Sequence, residues 1–241
     1  METLILSCGA AASPAPDSRL ARERGRVDAV VLQIALLADV AEAGRRWRAA
    51  RAVGDENRRL VFAVDDDGAD PVVVDLAWRV GAHLERGAGG SPAERLRAVV
   101  DAEFARGARA VAVVGSRAPT LPPHLVEHAF RALAWERCVL GPTFDGGLWL
   151  LGVQRAAPVA LPGGDWSCPQ TLGLLAARLP EPPHLLPFWY DVADADAVER
   201  LVWHLRALRA LDRATAPASW RALERLGLIH AAGDAVGVGD R

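Results

Sequence analysis

Short apolar runs alternate with stretches of helical periodicity along this chain. Leu4 to Cys8 is a compact, largely apolar run that predicts a buried strand. Gly9 to Asp17, rich in Ala, Pro and Ser, predicts a loop after it. From Asp28 to Val53 the apolar residues Val30, Ile34, Leu37, Val40 and Trp47 recur at helical spacing. Arg45, Arg46, Arg48 and Arg51 gather toward the end of that helix, where cations complement its dipole. Arg58 to Val64 predicts a strand closed by the acidic turn Asp65-Asp66-Asp67-Gly68, and Asp75 to Val80 a short helix.

The next signal is sharper. Ser91-Pro92-Ala93-Glu94 is a capping box with proline at the first helical position, so a helix starts here and runs to about Arg106. Gly107 breaks it. Ala110 to Val114 is apolar without alternation, as expected of a central parallel strand covered on both faces. Gly115-Ser116-Arg117-Ala118-Pro119 therefore stands at a strand's carboxyl end, where open α/β sheets bind ligands.

Pro122 opens a helix to about Trp135, and Val139-Leu140 begins a strand expected to break at Gly141-Pro142. Asp145-Gly146-Gly147 is a tight turn into the strand Leu148 to Val153. These two strands are joined by a turn and not a helix, which predicts a mixed sheet. Ser167 to Gln170 repeats the capping-box pattern ahead of a helix to Leu179, and His184 to Tyr190 is extended and apolar. Asp194 can cap a helix carrying Val198, Leu201, Val202, Leu205 and Leu208. A last helix, Ala218 to Leu226, ends at Gly227. The elements predict an α/β three-layer sandwich with a mixed, mostly parallel central sheet. They form a single domain over residues 1–230, with a frayed tail over 231–241.

Composition narrows the function. The 241 residues are 51% hydrophobic, enough for one large α/β domain. With 28 basic and 30 acidic side chains, the chain lacks the cationic excess of a nucleic-acid binder. Cys8, Cys138 and Cys168 are odd in number and widely spaced without CxxC, which argues against a disulfide framework and a thiolate zinc site. No apolar run is long enough for a membrane span, and the amino terminus lacks a basic n-region, so the expected location is the cytoplasm. His124 and His128, four apart on one helix, read as surface residues, and no metal site is assigned. There is neither GxGxxG after the first strand nor GxxxxGK[ST], which lowers the NAD and P-loop readings.

The segments GSRAPTLP, LGPTFDGGLWLLG, DWS and YDVADADAVERL, spread over Ser91 to Leu201, carry a resemblance. They resemble the bacterial glycosyltransferase-like proteins known as radical-SAM/selenodomain-associated transferases. More distantly they are similar to 2-phospholactate guanylyltransferases and molybdenum-cofactor nucleotidyltransferases. The resemblance implies a glycosyltransferase-A-like fold that binds a nucleoside-diphosphate sugar or a nucleoside triphosphate, commonly with a divalent metal. Two positions depart from the family's pattern. Arg117 stands where the family has aspartate in GSDxP, and Ala193 stands where DVDTPEDL has its second aspartate. Their loss argues against Mg²⁺ or Mn²⁺ at this site. The loop after the first strand also departs, with Arg19, Arg22 and Arg24 at a spacing unlike the family's.

Candidate site residues follow. Arg117 has three readings: a cation standing in for metal beside a diphosphate, the mark of a lost active site, or a solvent-facing loop residue. Asp145, in TFDGG, is either the group that orients or deprotonates an acceptor, or an Asx-turn to Gly147. Gly115 and Ser116 can present an amide and a hydroxyl to phosphate. Arg19 and Arg95 are candidate phosphate ligands, Trp166 a candidate pocket wall, and Asp191 a candidate ligand contact or turn residue. Trp149 reads as core, and Ser167 as a helix cap.

The leading expectation is a transferase moving a sugar from a nucleotide to a small acceptor. The alternatives are a catalytically degenerate binding or assembly subunit and, below it, a nucleotidyltransferase. The expected partner is a small-molecule nucleotide, not nucleic acid, and the apolar C-terminal helices leave a homodimer open.

Overall fold

The structure, a computed structural model, describes residues 1–8, 18–50, 57–64, 70–155 and 170–229. The strands are β1 (Glu2–Ser7), β2 (Arg58–Val64), β3 (His83–Arg86), β4 (Ala110–Gly115), β5 (Cys138–Pro142), β6 (Leu148–Gln154) and β7 (His184–Leu185). Among the described residues they form a seven-stranded sheet in the order β3-β2-β1-β4-β6-β5-β7. β1 pairs in parallel with β2 and β4, β2 with β3, and β5 with β7. β6 runs antiparallel to both β4 and β5. Six strands thus share one direction, and the carboxyl ends of β1, β4, β5 and β7 open onto the same sheet edge.

Alternating residues divide the sheet between two helical layers. The helices are α1 (Arg19–Arg24), α2 (Arg26–Ala49), α3 (Pro71–Val80), α4 (Pro92–Ala105), α5 (Pro123–Ala132), α6 (Thr171–Ala176), α7 (Ala195–Ala210) and α8 (Pro217–Arg225). Leu4, Leu6, Leu60, Phe62, Ala112 and Val114 face α2, α3 and α5. Ile5, Val61, Val111, Val113 and Leu140 face α4 and α6. The result is an α/β three-layer sandwich with a mixed, mostly parallel sheet. Strands buried on both faces carry near-continuous apolar runs, which is why they were visible in the sequence.

α2 is covered twice. Leu37, Val40 and Trp47 pack on the sheet, while Ala29, Leu32 and Leu36 pack with α1, α7 and α8 in a second apolar cluster. Asp39 ties α8 to it. The carboxylate is buried and accepts the amides of Ala218 (3.0 Å) and Ser219 (2.7 Å) and the Ser219 hydroxyl (2.6 Å). Burial raises its pKa, and the Ser219 and Ala218 hydrogen bonds act against that.

Several local expectations change. The expected break at Gly141-Pro142 is absent: both residues stay in β5, and the ladder shifts register there. Proline is tolerated at such an irregularity because the regular ladder bond is already lost. α3 begins at Pro71, earlier than expected, because Asp70 caps it by accepting the Val72 amide (2.8 Å). The long helix is preceded by the separate α1 and spans Arg26–Ala49. α6 starts only at Thr171 and is shorter than expected, and Gln170 makes no side-chain cap bond. β3, mostly exposed at the sheet edge, was not expected. The Ser91/Glu94 capping box forms as read. The loop at Gly9–Asp17, the Asp65-Asp66-Asp67 turn, Ser167 and the tail from Ala231 lie outside the described residues.

Candidate functional site

Three loops and one short helix meet at the carboxyl edge. β4 ends in the turn Gly115-Ser116-Arg117, and β5 leads through Thr143 into the Asp145-Gly146-Gly147 turn. β7 continues through a bridge between Thr143 and Trp189 into Tyr190 to Asp194. α1 follows the loop after β1, and Ser18 caps it by accepting the Ala21 amide (3.3 Å). Buried Leu20 and Ala21 pack α1 into the second apolar cluster, which places Arg19 at the edge.

Two ion-pair groups form there. Arg117 Nη2 lies 2.9 Å from Asp191 Oδ2. Arg19 reaches two carboxylates with different nitrogens, Nη1 to Asp194 Oδ2 at 3.2 Å and Nη2 to Asp145 Oδ2 at 3.7 Å. Arg200 stands 3.9 Å from the other Asp194 oxygen. That oxygen also caps α7 by accepting the Ala197 amide (2.9 Å).

Asp145 is held by its own turn. Its Oδ1 accepts the Thr143 hydroxyl (2.5 Å) and, more weakly, the Gly147 amide (3.4 Å). Gly146 adopts φ 85°, the left-handed region that glycine enters without a Cβ penalty. The Asx-turn and the site position thus coincide in one residue, with Oδ1 committed to the turn and Oδ2 facing Arg19.

The segment carrying Asp191 is pinned on both sides. The Val192 amide donates to the Arg117 carbonyl (2.9 Å), and the Ala195 amide to Glu23 (2.8 Å). Tyr190 sits between Thr120, which donates to its hydroxyl (2.9 Å), and His204 Nδ1 (2.8 Å). The Tyr190 hydroxyl and Nδ1 share one proton between them, and either can be the donor according to the imidazole tautomer. Burial pushes the Tyr190 phenol up to about 12, with the Thr120 bond acting against it, and burial lowers the pKa of His204.

Gly115 and Ser116 are half-buried at the end of β4, and a Cβ on Gly115 would meet open space. Beside Asp145, Phe144 (77% exposed) stacks on Phe188 (49% exposed), with ring centroids 5.5 Å apart. Trp149 is buried, and its indole donates to the Pro187 carbonyl (3.2 Å).

Of the residues singled out in the sequence, Arg117 and Asp191 come together, as do Arg19 and Asp145. Arg95 lies in the first turn of α4, reached from β3 at the far end of the strand order, and donates to the Gly90 carbonyl (3.4 Å). Trp166 is outside the described residues. Sequence reasoning missed Asp194 as an ion-pair partner, together with the Phe144–Phe188 stack and the Thr120–Tyr190–His204 chain. Only Asp194 had a usable signal, its spacing three residues after Asp191 in an extended segment.

Residues 48–168, half of the chain, match the bacterial family described as uncharacterized protein conserved in bacteria (DUF2064). The chain belongs to that family. No curated protein matches it. Among solved structures, a candidate nucleotide-diphospho-sugar transferase from Desulfovibrio desulfuricans is 22% identical, with a TM-score of 0.67 over 93% of this chain and 96% of that one. A 4-diphosphocytidyl-2C-methyl-D-erythritol synthase from Anaerococcus prevotii is 11% identical, with a TM-score of 0.52 over 86% of this chain and 98% of that one. A glucosyl-3-phosphoglycerate synthase from Mycobacterium tuberculosis, in complex with Mg²⁺ and UDP, is 12% identical, with a TM-score of 0.52 over 89% of this chain and 79% of that one. At these identities the likeness is one of fold. This DUF2064 chain thus has a fold similar to those of solved nucleotide-handling transferases. Among the described residues, no helix is long and apolar enough to cross a membrane.

Proposed function

We propose that this protein binds a nucleoside-diphosphate sugar at the carboxyl edge of its sheet and transfers the sugar to a small hydroxyl acceptor. The observation that carries the reading is the convergence of Arg19, Arg117, Asp145, Asp191 and Asp194 at that edge, in a fold shared with nucleotide-handling transferases. Arg117 and Arg19 would receive the diphosphate through charge-assisted hydrogen bonds. The open space at Gly115 lets a phosphate approach the backbone. Asp145 Oδ2 would orient the acceptor hydroxyl and take its proton. The acceptor oxygen then bonds to the anomeric carbon, the bond from that carbon to the phosphate oxygen breaks, and the arginines take the leaving diphosphate's charge. The exposed faces of Phe144 and Phe188 would support the acceptor.

Isothermal calorimetry with UDP, GDP, CDP and ADP, with and without Mn²⁺, tests the binding step. Affinity for none of them would falsify the reading. Turnover of a nucleotide sugar that disappears in Asp145→Ala supports the chemistry.

One observation favours a second reading, a binding or assembly subunit without catalysis. Asp145, Asp191 and Asp194 are each already engaged by a guanidinium. Nucleotide binding without turnover, unchanged in Asp145→Ala, would decide for it.

A further inference from the structure

The similarly folded glucosyl-3-phosphoglycerate synthase holds Mg²⁺ together with UDP, and the carboxylates at this edge are the groups that could hold such a divalent cation here. They do not fit one. Asp145 gives Oδ1 to Thr143 and Gly147 and turns Oδ2 toward Arg19. Asp194 gives Oδ1 to the α7 cap and Oδ2 to Arg19. Asp191 faces Arg117. Among the described residues, no group of three His, Cys, Asp or Glu side chains is arranged to hold a metal.

We propose that Arg19 is the built-in cation of this site. Its guanidinium spans Asp145 and Asp194, where two facing carboxylates would otherwise draw a divalent ion. Three physical points support this. A guanidinium stays charged at every accessible pH, and its fork can serve two carboxylates through separate nitrogens. The two nitrogens do so here, at 3.7 and 3.2 Å. Arg19 is also delivered by a packed element, because the neighbouring Leu20 and Ala21 are buried. Magnesium, by contrast, demands several free oxygens in near-octahedral order. The consequence for substrate rests on the nucleotide-diphosphate reading above: Arg19 and Arg117 would neutralise the diphosphate without metal.

The cation claim is tested without nucleotide. The full chain and its variants are titrated with Mn²⁺, and free ion is counted by electron paramagnetic resonance. Arg19→Ala uncovers two carboxylates and should bind Mn²⁺ at least ~10-fold more tightly than the parent. Arg19→Ala/Asp145→Asn should lose that gain, and Arg19→Lys should not acquire it. Arg19→Gln serves as a second uncharged variant if the alanine protein does not fold by circular dichroism. Tight Asp145-dependent Mn²⁺ binding by the parent, or no gain in either uncharged variant, overturns the proposal. Calorimetry with UDP and GDP in EDTA adds a second arm. Affinity independent of Mn²⁺ supports the proposal, and affinity only with Mn²⁺ overturns it. If CDP and ADP also fail to bind under either condition, the nucleotide reading fails, while the Mn²⁺ comparison still decides the role of Arg19.

Discussion

Arg117 and Asp191 meet at 2.9 Å and join the end of β4 to the segment that leads into α7. The Val192 amide donates to the Arg117 carbonyl, so the contact is made by backbone and side chain together. Asp191 is only 12% exposed, and taking the Arg117 guanidinium away from its charge is unfavourable. Arg117→Ala should therefore destabilise the fold by about 1–2 kcal/mol. Arg117→Ala/Asp191→Asn should recover part of that loss. Urea denaturation of the parent, both single variants and the pair gives the coupling. A coupling near zero would show that the ion pair does not hold the loop.

Gly115 separates fold from site. Because a Cβ there meets open space, Gly115→Ala should change stability by no more than about 0.5 kcal/mol. Its methyl group would stand at the strand end where a phosphate is expected to approach. The same variant should therefore bind nucleoside diphosphate at least ~10-fold more weakly, a loss of about 1.4 kcal/mol. Thermal melts and calorimetry on one preparation measure both quantities. Unchanged affinity would move the phosphate away from β4.

Asp39 is a cap supplied from another helix. Its carboxylate takes three hydrogen bonds at the start of α8, two of them from backbone amides. Asp39→Ala leaves those donors buried and should cost about 2–4 kcal/mol. Asp39→Asn keeps one acceptor oxygen and should cost less than half as much. Denaturant midpoints compare the two. Equal losses would mean that packing, not hydrogen bonding, sets the effect.

His204 gives the fold an acid-sensitive element. Burial lowers its pKa, so the unfolded chain takes up its proton at higher pH than the folded one. Its contribution to stability is complete above the ordinary histidine value and is lost as pH falls through the depressed folded value. Protonation would also fix Nδ1 as a donor toward the Tyr190 oxygen. The parent should lose more stability than His204→Asn as pH falls from about 7 to about 5. Melting curves of both proteins across that range test the difference. Parallel curves would remove His204 from the explanation.

Local chemistry made much of the architecture legible. The Ser91/Glu94 box, the Asp194 cap and the glycine turn after Asp145 act over two to four residues, and all three form. The apolar strands β1, β2, β4 and β6 were readable because burial on both faces removes polar alternation. β3 was not readable. An exposed edge strand of four residues has no apolar code, and its pairing with β2 supplies the order. α2 showed one helical stripe in the sequence, yet it is buried by the sheet on one side and by α1, α7 and α8 on the other.

The sequence by itself determined the turn at Gly115, the Asp145 turn and the polar residues they carry, because proline, glycine and capping side chains restrict the backbone locally. Tertiary structure decided which charges meet. Arg117 faces Asp191, and Arg19 faces Asp145 and Asp194, only because β4, β5 and β7 end at one sheet edge and α1 packs beside them. Coulomb attraction depends on distance in space, and strand order, not residue spacing, sets those distances.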